Sequence, residues 1–98
     1  MATFILLSKL TDEGAQTIKE EPERILAVNQ ELEEYGVKVL NQWAVLGPYD
    51  FVNVVEAPDN LTVARVSANL SARGTIRIMT LAAIPIDEFV EGFGAGDR

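Results

Sequence analysis

The stretch Leu46-Gly47-Pro48-Tyr49-Asp50 decides the fold, because it separates two runs that read as β-strands. Pro48 pre-sets φ at one turn position, Gly47 tolerates backbone that a side chain would strain, and Asp50 can bond nearby backbone groups. On its N-terminal side, Val37 to Val45 places Val37, Val39, Asn41, Trp43 and Val45 on one face and Lys38, Leu40, Gln42, Ala44 and Leu46 on the other. On its C-terminal side, Phe51 to Val55 is apolar enough to be buried. The whole reads as a central hairpin with one helical region before it and another after it.

Upstream, Thr3 to Leu10 reads as a strand that is apolar on both faces. Thr11 is a good N-cap, with acidic residues following in the first turn. The pattern predicts a short helix over residues 12–20, a kink or restart at Pro22, and a clearer helix from Pro22 to Tyr35 that Gly36 ends. Gly14 weakens the first piece by propensity.

Downstream, Asp59 or Asn60 caps a second helical region over Leu61 to Ala72 or Arg73. Gly74 then turns the chain into a strand from Thr75 to Ile84. Pro85 to Phe93 reads as a small helix or turn. Residues 1–91 therefore read as one domain and 92–98 as a glycine-containing tail, with no repeat or long linker.

The order β-α-β-β-α-β predicts an α+β, ferredoxin-like fold, with a four-stranded antiparallel sheet and two main helices on one face. Two helices cover only one side, yet the strands carry apolar groups on both. Trp43, Val39, Met79, Leu81, Ile5 and Leu7 group on one face, and Phe4, Leu6, Leu40, Ile76 and Ile78 on the other; which one is helix-covered is left open. An uncovered apolar face of this size favours self-association, as a sheet-to-sheet dimer or a higher oligomer. The tail is placed to reach a neighbour.

Composition narrows the partners. Fifteen acidic against eight basic residues give a formal charge of −7, which disfavours nucleic acid and anionic membranes. Without cysteine or histidine, disulfides, thiol catalysis, histidine bases and histidine metal sites drop out; a carboxylate site for a hard cation is chemically open. The N-terminus reads as a strand rather than a signal peptide, and a cytoplasmic protein is expected.

The near-N-terminal strand, Pro22-Glu23-Arg24, Gly47-Pro48-Tyr49-Asp50, Glu56-Ala57-Pro58-Asp59 and the closing strand together resemble GYD-domain proteins, from about Thr3 to Phe89. The resemblance implies a dimeric α/β-barrel type of assembly and supplies no reaction. The final stretch, Gly92 to Arg98, lies outside it.

Ligand-binding candidates are Tyr49 and Asp50 at the turn, Asn41 and Trp43 on a shared strand face with Tyr35 and Arg77 expected nearby, and Lys9 beside the sheet end. Tyrosine and tryptophan can stack, and the amide and guanidinium can hold a small aromatic or carboxylated molecule. For each of these residues the simpler reading is structural: a turn anchor, a core or interface aromatic, a surface ion pair. Arg65 and Arg73 join Lys9 and Arg77 as cations able to approach a sheet end, and the glutamates from Glu20 to Glu34 read as a solvated helix face. No Ser-His-Asp set, dinucleotide fingerprint or phosphate loop is present, and no cofactor is implied. The leading expectation is a structural or regulatory role through assembly; the alternative is a cofactor-independent enzyme or small-molecule sensor.

Overall fold

A computed structural model describes residues 1–94 and contains β1 (Ala2–Leu10), α1 (Asp12–Glu20), α2 (Arg24–Glu34), β2 (Lys38–Ala44), β3 (Phe51–Ala57), α3 (Asn60–Ser71), β4 (Ile76–Ala83) and α4 (Ile86–Glu91). The four strands form one antiparallel sheet in the order β2-β3-β1-β4. This is the ferredoxin-like α+β arrangement, with α1 and α2 together in the first crossover and α3 in the second. The predicted tail begins at Gly92, and residues 95–98 of it lie outside the described residues.

Local chemistry sets the boundaries. The Thr11 side chain accepts from the Gly14 backbone N–H, and Asp59 accepts from the Thr62 N–H and hydroxyl, so both helices start on a true N-cap. These two bonds also hold the Asp59 carboxyl below its ordinary pKa. At the end of α2, Gly36 takes φ +83°, its N–H bonds the Glu33 carbonyl, and the Val37 N–H bonds the Leu32 carbonyl. That pair of bonds is a Schellman motif, and Leu32 and Val37 are both buried beside it.

The core lies between the sheet and the helices. Phe4, Leu6 and Val55 from the sheet meet Leu32 of α2 and Val63, Val66 and Leu70 of α3. This settles the question left open by alternation: the face carrying Phe4, Leu6, Ile76 and Ile78 is the helix-covered one.

One part of the strand reading is corrected. The β2–β3 register shifts between Val39 and Asn41, because Val39 pairs with Val55 while Asn41 pairs with Val54. Leu40 is the extra residue of a β-bulge, and a bulge of one residue reverses which face every later side chain occupies. Val39 therefore packs against the core, whereas Asn41 and Trp43 join the uncovered face. Gln42 and Ala44 pass to the helix side, and Lys38, in register with Glu56, stands on the uncovered side.

Gly14 has a role that propensity hides. A Cβ built there would sit 1.9 Å from the Thr75 carbonyl oxygen. The same carbonyl accepts from the Thr11 N–H at 3.0 Å, and the Thr11 hydroxyl donates to the Gly74 carbonyl at 2.8 Å. The start of α1 is thus pressed onto the start of β4, and only glycine fits at the contact.

Candidate functional site

Cross-strand partners project to the same side of a sheet, so the register defines the uncovered face row by row. Trp43, Val52, Leu7 and Met79 form one row across all four strands, and Asn41, Val54, Ile5 and Leu81 form the next. Trp43 is 51% exposed, Met79 50% and Leu81 43%. Charged pairs flank these rows: Lys9 faces Arg77 at one end, and Lys38 faces Glu56 at the other. An apolar centre with a charged rim is the anatomy of a protein–protein contact. The Lys9–Arg77 juxtaposition sets like charges directly opposite, which destabilises an isolated sheet.

The predicted site residues divide over this surface. Lys9 and Arg77 are brought together on β1 and β4. Asn41 and Trp43 stand on β2, the edge opposite β4, three strand spacings or about 14 Å from the strand of Arg77. Within one chain, Asn41 and Trp43 therefore do not converge with Arg77. Tyr35, also expected nearby, caps α2 instead, where its hydroxyl accepts from the Asn69 amide at 3.2 Å.

Asp50 serves the turn, whereas Tyr49 leaves it for the sheet. The Val45 N–H donates to the Asp50 carbonyl at 2.9 Å and closes the loop, while the Asp50 N–H donates to the Ser8 carbonyl at 2.8 Å. The Asp50 carboxylate accepts from the Leu10 backbone N–H at 2.8 Å. Tyr49 reaches across the sheet to β4, its hydroxyl 3.4 Å from the Met79 sulfur.

A second feature lies on the helix side. A cavity of about 420 Å³ opens between the sheet and helices α1 and α2. Its walls include Leu6, Ile18, Val28, Phe51 and Ile78, with Ser8, Asn29, Gln42 and Asn53 as neutral polar groups. Asn29 and Gln42 satisfy each other through two amide bonds of 2.7 and 3.2 Å. Asn53 is only 9% exposed, and its Oδ1 is buried with no hydrogen-bond partner. Alternation alone hid Gln42, which without the bulge reads as lying on the face opposite Val39; Asn53 carried its own mark. A polar residue inside the buried run Phe51 to Val55 was the available signal.

Glu13, Arg24 and Arg73 are the charged residues lining the cavity. Arg73 forms a two-pronged pair with Glu31, one prong being 3.0 Å. Its hydrogen bond holds the Glu31 carboxyl below its ordinary pKa, and the same bond raises that of Arg73. Arg24 lies 3.7 Å from Glu21 in an exposed pair. Among the described residues, no helix is long and apolar enough to cross a membrane.

Comparison with known proteins agrees with this architecture. The chain is 59% identical over 91 residues to a protein of Thermus thermophilus named glutamine synthetase and cystathionine β-lyase binding protein, covering 92% of this chain and 96% of the relative. A crystal structure of a Thermus thermophilus protein superposes with a TM-score of 0.55 at 26% identity, over 87% of this chain and 95% of that one. The GYD domain profile matches residues 4–92, and the chain belongs to the GYD domain family.

Proposed function

We propose that this chain is a cytoplasmic, self-associating binding protein whose residues 1–91 act as one unit, and which regulates a metabolic enzyme by docking on it. The observation that carries the reading is the pair of apolar rows on the uncovered sheet face, centred on Val52, Leu7, Val54 and Ile5. At about 25 cal/mol per Å² of apolar area, covering several hundred Å² offsets much of the cost of association. In this reading a second copy lays its own sheet on these rows. Asn41 and Trp43 then contact the partner from one edge, and Lys9 and Arg77 draw their counter-charges from it. Helix α4 adds exposed apolar groups in Ile86, Phe89 and Val90, which suit a further subunit contact. The enzyme partner is suggested by the name of the 59% identical relative, and glutamine synthetase is the first to try.

Sedimentation equilibrium of the full chain at micromolar concentration tests the assembly. A dimer or higher oligomer is expected, with Trp43→Glu and Met79→Glu reverting to monomer while retaining their circular dichroism. Calorimetry against purified Thermus thermophilus glutamine synthetase tests the partner. A monomer that leaves the enzyme unbound overturns the reading.

A further inference from the structure

We propose that the helix-side cavity is a binding site for a small, neutral, mostly apolar molecule carrying a carboxamide, held by Asn53. Three observations meet there. The space, about 420 Å³, falls within the usual range for small-molecule sites. Its walls are mainly aliphatic and aromatic, which favours an apolar body. Its polar wall offers three carboxamides, of which Asn29 and Gln42 are closed on each other.

Asn53 is the one left over. A buried carbonyl oxygen without a donor carries the full cost of its lost hydration. The terminal torsion of an asparagine is soft and roughly two-fold, so either end of the amide can be turned toward the cavity. A ligand carboxamide supplies both a donor and an acceptor, and so pairs with Asn53 in either orientation.

Charge argues against an ionised ligand. Of the lining cations, Arg73 is engaged by Glu31, and Arg24 stands in solvent, its side chain 56% exposed and 3.7 Å from Glu21, so neither is a buried counter-ion awaiting a ligand. Asn53, Ser8, Asn29 and Gln42 carry no charge, so a carboxylate entering among them loses water without gaining a counter-ion. This site is separate from the uncovered sheet face and is independent of assembly there.

The test is a heteronuclear NMR titration of the full chain with benzamide, methyl benzoate and benzoate. Benzamide is expected to saturate, with shifts concentrated on Leu6, Asn53 and Ile78. Methyl benzoate, which keeps the ring and loses the donor, is expected to bind roughly five-fold more weakly or worse. Benzoate should bind about ten-fold more weakly or worse. In Asn53→Leu the preference for benzamide over methyl benzoate should vanish. Should that variant not fold, the three-ligand comparison on the unaltered chain decides the matter. Absence of saturable shifts at the cavity, equal affinity for benzamide and its ester, or tightest binding by benzoate overturns the proposal.

Discussion

The Asp50 carboxylate and the Leu10 backbone N–H meet at 2.8 Å, so the central turn is tied directly to the end of β1. Asp50→Ala leaves that partly buried N–H unpaired and is expected to lower stability by about 1–3 kcal/mol. Asp50→Asn keeps a carbonyl acceptor and should lose markedly less. Urea denaturation of the two variants side by side checks this. Equal losses would mean that the charge, rather than the acceptor, matters.

Gly14 gives a sharper expectation. With the Thr75 carbonyl oxygen 1.9 Å from the position of a Cβ, Gly14→Ala cannot be absorbed by moving a flexible side chain. A loss of about 3 kcal/mol is expected, at the upper end of ordinary overpacking costs. Helix propensity alone predicts the opposite sign, a gain of up to about 1 kcal/mol. Thermal or chemical denaturation separates the two outcomes by sign.

The Asn29–Gln42 pair links α2 to β2 beyond the bulge. Removing one partner should cost about 1–2 kcal/mol, because the other amide is left unpaired in a partly buried position. The double replacement Asn29→Leu with Gln42→Leu should cost less than the sum of the two single ones. A double-mutant cycle measures the coupling. A coupling of zero would mean that the pair does not fix the β2 register.

Glu31 and Arg73 make stability depend on acid. The Glu31 carboxyl has a folded pKa below its ordinary value of 4.5, chiefly through the hydrogen bond from Arg73. A depressed carboxylate contributes stability above its unfolded pKa and loses that contribution as pH falls through the folded one. Partial exposure screens the pair, so Glu31→Gln should cost no more than ~1 kcal/mol at neutral pH. The gap between wild type and variant should close as the pH drops below about 4.5, where the unfolded carboxyl takes up its proton. Melting curves across that range follow the closure; a gap that persists in acid would assign the loss to packing.

Trp43 is the only tryptophan in the chain, and it is half-exposed on the uncovered sheet face. Its emission should move to shorter wavelength as concentration rises and a second sheet covers the ring. A spectrum unchanged across a hundred-fold dilution that sedimentation shows to dissociate the oligomer would place the contact elsewhere.

How far the sequence could be read varies along the chain. The helix start at Thr11 and the stops at Gly36 and Gly74 were legible, and the second start was legible to within Asp59 or Asn60, of which the structure selects Asp59, since caps and positive-φ glycines act over a few residues. The break at Pro22 was legible for the same reason. The faces of β1 and β4 followed from alternation. In β2 that rule failed after Val39, because a bulge depends on how a neighbouring strand pairs, and no local residue type announces it.

The candidate site divides along the same line. Composition and strand pattern alone determined that this chain forms an antiparallel sheet with more apolar surface than its helices can cover. Those are short-range or summed properties of the residues. Only the tertiary structure decided that Trp43 and Arg77 stand on opposite edges, that Gln42 turns inward to Asn29, and that Asn53 sits beside a cavity with an unpaired oxygen. Each of these depends on strand register and helix placement, contacts made between residues far apart in the chain.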